Sequence, residues 1–158
     1  MKLAVLGGSF NPIHLAHLHL ADSALAAFGF DRVLLVPANI SPFKKAPGAA
    51  AVSAADRLDM ILASIAADPR LAVDDLELRR GGVSYTIDTL KEIIRRYKPE
   101  GKPGLILGDD LAADFPKWKG AEKIPQIADI IVARRMTGKG EPVFPYPHRT
   151  LNNEVMDL

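Results

Sequence analysis

Two histidines set three residues apart mark the part of the chain best suited to chemistry. His14 and His17 follow a glycine pair, Gly7 and Gly8, at the entrance of an apolar-periodic segment that predicts a helix over 15–28. Residues spaced i and i+3 project from one helical face, so both imidazoles would point to the same spot. Glycines let the backbone turn sharply and approach a ligand, and the first N–H groups of a helix attract anions. The pattern predicts a phosphate-binding site in which the imidazoles stabilise developing charge.

Other kinds of site lack their fingerprints in this segment. The glycine pair matches neither GxGxxG nor the Walker A pattern. A metal site would need a third ligand, which is not nearby, and HxxH lacks the glutamate of HExxH. His19 points away from the pair, which indicates a structural role. The alternatives without function are a packing or solvent-facing role for the two histidines and plain chain reversal at the glycines.

The elements that must position these residues are short apolar runs alternating with amphipathic stretches, a pattern typical of βαβ units over a parallel sheet. The predicted class is α/β, a Rossmann-like open parallel sheet of about five strands with helices on both faces. Ligands then bind beyond the carboxyl ends of the strands. The predicted strands are 2–6, 31–36, 71–73 with 76–78, 105–107 and 129–133; the predicted helices are 15–28, 53–67, 86–97 and 122–127. Residues 38–52 predict a mobile loop.

Composition narrows the function classes. The 158 residues are 48% hydrophobic and 25% charged with a net charge of +1, which predicts one globular domain over 1–158. The sequence has no block of basic residues that would indicate a nucleic-acid groove, and no apolar run approaches the length of a membrane span. The first apolar run is too short for a signal peptide, and the chain has no Cys, so we expect a cytoplasmic protein. A homo-oligomer stays open, since one sequence does not separate a surface patch from core.

Residues 7–18, GGSFNPIHLAHL, are similar to the GGTFDPxHxGH signature of the nucleotidyltransferase α/β-phosphodiesterase superfamily. The resemblance implies attack on the α-phosphate of ATP with loss of pyrophosphate and without a covalent intermediate. Ala16 stands where the signature has glycine, a difference of one methyl group near the ATP site. The resemblance implies these ATP contacts at the start of the chain: Gly7, Gly8, Ser9, Phe10, His14 and His17.

Four downstream segments resemble bacterial nicotinate-mononucleotide adenylyltransferases within that superfamily. Residues 81–90, GGVSYTIDTL, resemble the SYTxDTL segment, and 108–110, GDD, resemble a GxD motif that is followed by a tryptophan, here Trp118. Residues 42–44, PFK, stand in place of a Pro-x-Lys loop. Arg57 matches the arginine of an R-x-x-M helix. The matches run in order from residue 1 to about 135.

The nicotinate half of the substrate is predicted to meet three groups. Ser84, Tyr85 and Thr86 precede a helix whose free N–H groups suit a carboxylate, although Thr86 could be only an N-cap. Trp118 offers a face on which a pyridine ring can stack, with a core position as the alternative. Asp109 is a further candidate substrate contact, or a cap of the following helix.

The triphosphate is predicted to meet the remaining charged residues. Asp110 can accept hydrogen bonds from ribose hydroxyls or hold Mg²⁺ through water. Lys44 lies on the predicted mobile loop and can close over phosphates as a catalytic residue beside His14 and His17. Arg134 follows the last predicted strand and can neutralise a phosphate.

A second family signature, ISSTxIR, contributes hydroxyls and an arginine to the triphosphate clamp. Residues 155–158 resemble the segment that leads into it, and the sequence stops there. We therefore expect the C-terminal end to be missing from the nucleotidyltransferase domain. Loss of one charge-assisted contact to a transferring phosphate costs about 3 kcal/mol of transition-state stabilisation. Catalysis by these residues alone should be impaired and the fold largely kept.

The resemblance implies transfer of AMP from MgATP to nicotinate mononucleotide, giving deamido-NAD and pyrophosphate. Phosphopantetheine adenylyltransferase is an alternative, but that enzyme normally has Thr at the position of His14 and lacks SYTxDTL. An aminoacyl-tRNA synthetase fragment would need a KMSKS-like loop, which is absent. A nucleotide-binding module without turnover is the alternative from another class, favoured by the missing C-terminal signature.

Overall fold

The strands form one parallel, six-stranded sheet in a computed structural model that describes residues 1–10, 13, 15–39, 53–135 and 144–153. The strand order is β3-β2-β1-β4-β5-β6. The chain order reverses between β1 and β4, and ligands of open α/β sheets bind in the crevice at such a switch point. The strands are β1 (Leu3–Gly8), β2 (Arg32–Pro37), β3 (Leu71–Val73), β4 (Gly104–Gly108), β5 (Asp129–Arg135) and β6 (Arg149–Asn153).

Helices cover both faces of this sheet, because each central strand is apolar on both sides. Along β1, Leu3 and Val5 pack into one core cluster, while Ala4 and Leu6 pack into the other. Parallel strands buried on both faces need such continuous apolar runs. The helices are α1 (Leu15–Phe28), α2 (Ala54–Ile65), α3 (Leu76–Arg80), α4 (Thr86–Tyr97), α5 (Asp109–Asp114) and α6 (Ile124–Ile127), with a 3₁₀ turn at Phe115–Lys117. Buried residues of α1 and α2 join the cluster of Ala4, and those of α3, α4 and α6 join the cluster of Leu3.

The α/β class and the parallel open sheet are confirmed, as are most of the predicted elements, among them β1, α1, α2 and α4. Ser53 caps α2 as the sequence indicates, since its hydroxyl accepts a hydrogen bond from the Asp56 N–H at 3.1 Å. Thr86 is not an N-cap. Tyr85 takes that position without a side-chain bond, and Thr86 is the first helical residue.

The prediction of a strand over 76–78 is wrong, because this segment begins helix α3. Leu76 and Leu78 alternate as in a strand, but the Asp74 carboxylate accepts a hydrogen bond from the Leu76 N–H at 2.9 Å and favours a turn there. The residues that follow are good helix formers.

A sixth strand, β6, was not predicted, so β5 is not the last strand. Leu151 is the one β6 side chain, among those that the structure describes, in a core cluster, and the sequence RTLNN has no apolar run to reveal the strand. Its partner supplies the register, since Arg149 to Asn153 pair in parallel with Ile131 to Arg135 of β5. Among the described residues no helix has the length and apolar character needed to cross a membrane.

Candidate functional site

The carboxyl ends of the strands bring most of the predicted site residues to one edge of the sheet. Gly8 at the end of β1 is level with Pro37 of β2, and Gly108 of β4 is level with Ala133 of β5. The chain runs back along α4 before it enters β4, so the N-terminus of α4 lies at this same edge. The predicted phosphate-binding and nicotinate-binding segments therefore share one side of the molecule.

After β1 it is Phe10, and not the glycines, whose backbone is left-handed. Gly7 and Gly8 are regular strand residues that pair with Val36 and Pro37. Phe10 has a φ of 45°, a left-handed conformation that costs a residue with a side chain about 1 kcal/mol or more. The expectation that the glycines form the turn is thus wrong. Their missing side chains instead leave the end of β1 free of Cβ atoms where it faces the edge of the sheet.

Phe10 holds its strained backbone by burying its ring. The ring is 1% exposed, and a Cβ added to Gly8 would lie 3.5 Å from it. The ring also contacts that of His17, edge-on and with centroids 4.9 Å apart. The Phe10 side chain therefore packs against His17, and because this side chain is buried only the Phe10 backbone is placed to meet a ligand.

Arg57 ties together the two loops that leave β1 and β2. It lies in α2, is 8% exposed, and its Nη1 atom donates to the Ser9 carbonyl at 2.7 Å and to the Ala38 carbonyl at 2.8 Å. Hydrogen bonds from a charged donor are shorter and stronger than neutral ones. Arg57, which sequence analysis noted as a family match, thus shapes the predicted triphosphate end of the site from within the protein.

The loop after β2 is also bonded to the segment before α4. The Asn39 N–H donates to the Ser84 hydroxyl at 3.1 Å, and the Asn39 side-chain amide donates to the Gly82 carbonyl at 2.9 Å. Residues that are 45 positions apart in the chain are thereby held side by side. Ser84 is buried, so its side chain serves this junction, while the backbone of the segment faces the edge.

The first turn of α4 is the best-formed anion site among the described residues. An α-helix leaves its first N–H groups without partners inside the helix, here at Thr86 and Ile87. The Lys119 ammonium lies 4.7 Å from the centre of the Tyr85 ring and 3.9 Å from the Asp88 carboxylate. Free N–H groups with a cation nearby suit a carboxylate or phosphate.

Trp118 is part of an aromatic cluster next to this turn. Its ring centre lies 5.1 Å from that of Phe115, which in turn packs on Phe144 and Tyr146 at 5.2 Å each. The side chain is half-buried, so part of the ring packs in the core and part is open to a stacking ligand. Its Nε1–H is buried and has no hydrogen-bond partner among the described residues. A buried donor without a partner is costly unless a ligand or water meets it.

Glu77 was missed by sequence analysis, because a single glutamate between leucines gives no signal. It lies in α3 and is 7% exposed. Burial raises the pKa of its carboxyl group, while hydrogen bonds from Thr89 and Ser84 and the nearby Arg80 cation act in the opposite direction. To find Glu77 one would need to know that 76–80 is a short helix packed on α4.

Some predicted residues lie wholly or partly outside the described residues. His14 and Lys44 are outside them, as are the side chains of Asp109 and Asp110. The backbone places both aspartates in the first turn of α5, after β4, and Arg134 near the end of β5. Within the described parts of the chain, no three His, Cys, Asp or Glu side chains are arranged to hold a metal ion.

Comparison with known proteins finds one family and several relatives that resemble the chain over most of its length. The model of the family described as cytidylyltransferase-like matches residues 5–154. A probable nicotinate-nucleotide adenylyltransferase of Treponema pallidum is 42% identical over 171 aligned residues, which cover the whole chain and 83% of that protein. A protein of the same description from Borreliella afzelii is 31% identical and is covered over 80% of its length, again by the whole chain.

Two solved structures share the fold. The nicotinic acid mononucleotide adenylyltransferase of Plasmodium falciparum, complexed with NaAD, superposes with a TM-score of 0.74 at 21% identity. The superposition covers 99% of this chain and 76% of that one. A putative nicotinate-nucleotide adenylyltransferase from Vibrio parahaemolyticus gives a TM-score of 0.66 at 24% identity, over 85% and 74% of the two chains.

Proposed function

Since the chain belongs to the cytidylyltransferase-like family, we propose that it transfers AMP from ATP to nicotinate mononucleotide, giving deamido-NAD and pyrophosphate. The observation that carries this proposal is the match, over the whole chain, to probable nicotinate-nucleotide adenylyltransferases. The geometry supports it, because the end of β1 and the start of α4 share one edge of the sheet.

The reaction asks little acid–base chemistry of the protein. An oxygen of the mononucleotide's 5′-phosphate attacks the α-phosphorus of ATP, and the bond from that phosphorus to the oxygen bridging to the β-phosphate breaks. The attacking oxygen is already ionised, so no side chain needs to remove a proton. Positioning of the two substrates and neutralisation of charge then carry the rate.

The triphosphate half is assigned to the loop after β1 and the adjoining strand ends. We propose that His14 and His17 stabilise the charge that develops on the transferring phosphoryl group, with His17 held by Phe10. Gly7, Gly8 and Ser9 offer backbone close to the phosphates. Catalytic Lys44 and Arg134 of β5 add positive charge.

ATP enters as its magnesium complex in this proposal. Mg²⁺ is usually held by one or two carboxylates together with substrate phosphates and water, so it needs no cluster of protein ligands. Asp110, in the first turn of α5 after β4, is the residue we assign to the ribose or, through water, to this ion.

The nicotinate half is assigned to the start of α4. The N–H groups of Tyr85 and Thr86 would bind the pyridine carboxylate, Ser84 would hold the segment in place, and the half-buried Trp118 would stack on the pyridine ring. Asp109 is the further substrate contact that we propose. A neutral carboxamide gains less from a helix N-terminus than a carboxylate does, so we expect a preference for nicotinate over nicotinamide.

Pyrophosphate release with MgATP tests the proposal. The acceptors to compare are nicotinate mononucleotide, nicotinamide mononucleotide and phosphopantetheine, with the 158-residue chain and with a chain extended by a Ser-Ser-Thr-x-Ile-Arg segment. We expect turnover to be fastest with nicotinate mononucleotide. Release only with phosphopantetheine, or binding of nicotinate mononucleotide without release by either folded chain, would overturn the proposal.

A further inference from the structure

Glu77 is a buried carboxylate that touches no residue of the proposed phosphate site. It lies in α3, on the side of the sheet that α4 covers, and is 7% exposed. Burying a charge is costly, and an apolar side chain of similar volume often serves packing as well or better. The contacts of the Glu77 side chain indicate a role other than packing.

Thr89 of α4 gives its hydroxyl proton to Glu77. The Thr89 Oγ1 lies 2.5 Å from Oε2 of Glu77 and accepts a hydrogen bond from Nη2 of Arg80 at 3.0 Å. A hydroxyl has one proton to donate. Because its oxygen already accepts from the guanidinium, that proton points at the carboxylate.

Ser84 is a second neighbour of the Glu77 carboxyl group, whose pKa a hydrogen bond from the Ser84 side chain lowers. The Ser84 Oγ accepts from the Asn39 N–H at 3.1 Å. The hydroxyl proton of Ser84 is therefore directed to Glu77 as well. The carboxylate thus collects one donor from the first half of α4 and one from the segment just before it.

This arrangement fixes the segment 84–86 at both ends. Thr89 lies one turn into α4, and Ser84 lies just before the helix, so Glu77 spans the turn whose N–H groups face the edge of the sheet. Through Ser84 the same carboxylate reaches Asn39, in the loop after β2. Charge-assisted hydrogen bonds are the stronger kind, and satisfied buried networks of them rigidify what they join.

We propose that Glu77 is a positioning residue for the mononucleotide: its carboxylate, through Ser84 and Thr89, sets the N–H groups at the start of α4 in the geometry that binds the pyridine carboxylate. The proposal rests on the proposed function for its ligand. It assigns Glu77 no contact with either substrate.

Replacement Glu77→Gln tests this, because the amide keeps the size but offers one weaker acceptor in place of two charged ones. We expect the KM for nicotinate mononucleotide to rise about tenfold, as for loss of a hydrogen bond to a charged group, with the KM for ATP changed less than about twofold. Thr89→Val should shift the same KM in the same direction, and Thr89→Ser, which restores the hydroxyl, should return it. The Thr89 pair carries the test if Glu77→Gln does not fold.

Glu92→Gln is the matched control. Glu92 is also an acidic residue that faces Arg80, at 3.6 Å, but it has no bond to Ser84 or Thr89 in the described structure. Its removal should leave both KM values unchanged. If Glu77→Gln and Thr89→Val leave the mononucleotide KM unchanged, or raise both KM values equally, the positioning role is wrong while the proposed function stands.

Hydrogen exchange separates the two proposals if the parent chain does not use nicotinate mononucleotide. The Asn39 N–H, bonded to Ser84, should then exchange at least about tenfold faster in Glu77→Gln than in Glu92→Gln, since loss of the anchor frees the acceptor. Faster exchange would support the role of Glu77 in holding the segment for another ligand of the same edge. Equal exchange in the two variants would overturn it.

Discussion

At the scale of single residues, several buried side chains at this edge act by holding backbone segments in place. Arg57 and Glu77 are both buried; Arg57 bonds two loops that are distant in sequence, and Glu77 of α3 is bonded to Thr89 of α4. Phe10 does the same by packing, with a strained backbone above a fully buried ring. The residues predicted to contact substrate are therefore held in place by other side chains, which we do not expect to contact substrate.

Arg57→Ala should lower the free energy of unfolding by about 3 kcal/mol, because two carbonyls lose a charged donor in a buried place. The same change should raise the KM for ATP, since the Ser9 loop loses its anchor. Chemical denaturation and steady-state kinetics measure the two effects. Arg95→Ala, at an exposed position of α4, is the control and should change stability by less than about 0.5 kcal/mol. Equal stabilities of the two variants would contradict the clamp.

Trp118 provides a direct signal of binding, because it is the only tryptophan of the chain. If the pyridine ring stacks on it, nicotinate mononucleotide should change the intrinsic fluorescence in a saturable way. Ribose 5-phosphate, which lacks the ring, is the matched ligand and should leave the emission unchanged. Trp118→Phe should weaken binding about fivefold, since a smaller ring and no N–H remain. An emission that does not respond at saturating mononucleotide would place Trp118 in the core alone.

At the scale of elements, the residue that follows β3 is hydrogen-bonded to the start of α3 and to the end of α4. Asp74 is buried and accepts hydrogen bonds from the Leu76 N–H and from the Tyr97 hydroxyl at the end of α4. Arg79 and Arg96 add longer contacts at 3.4 Å, which are partly exposed and contribute little. The two ends of α4 are thus fixed by different carboxylates, Asp74 at Tyr97 and Glu77 at Thr89.

Tyr97→Phe should lower the free energy of unfolding by about 1 to 2 kcal/mol, because Asp74 loses a donor and stays buried. Burial and the bond to Asp74 raise the pKa of the Tyr97 phenol to about 12. Its contribution to stability is full below pH 10 and is lost as the pH rises through about 12. Ultraviolet titration should show one phenol ionising late in the parent chain, and this step should be missing in Tyr97→Phe. A late step that persists in Tyr97→Phe would assign it to another tyrosine, and Tyr146→Phe, whose hydroxyl is not bonded to Asp74, is the control.

At the scale of the whole molecule, the sequence is sufficient to predict the α/β class and the parallel sheet. Strong signals came from apolar runs with breakers, as in β1, and from helical spacing with a cap, as in α2. The errors fall where local pattern and tertiary contact disagree. Leu76 to Leu78 alternate like a strand but are turned into α3 by Asp74, and β6 forms on pairing with β5 despite a polar sequence.

The candidate site was predictable where a motif carries it and not where packing does. The histidines, the SYT segment and Trp118 stand out by type and spacing. The conformation of Phe10 and the role of Glu77 depend on burial and side-chain contacts, which no spacing rule reports.

The stability of the whole molecule should depend on pH through Glu77. Burial raises the pKa of this carboxyl group above 4.5, so the folded state holds its proton more tightly than the unfolded state. The contribution of the group is full below pH 4.5 and is lost as the pH rises through the folded pKa. The stability of the parent chain minus that of Glu77→Gln should therefore fall as the pH rises across this window, with Arg80 and Glu92 present in both. A difference that grows with pH, measured by urea denaturation, would contradict the raised pKa.

The central claim is that an oxygen of the mononucleotide's phosphate forms the new bond to the α-phosphorus of ATP, and phosphorus NMR with oxygen-18 in that phosphate tests it. The account predicts a new diphosphate diester, deamido-NAD, with the heavy isotope in its bridging oxygen, and a released pyrophosphate that carries none. Heavy isotope in the pyrophosphate, or consumption of ATP without formation of the diester, would contradict it.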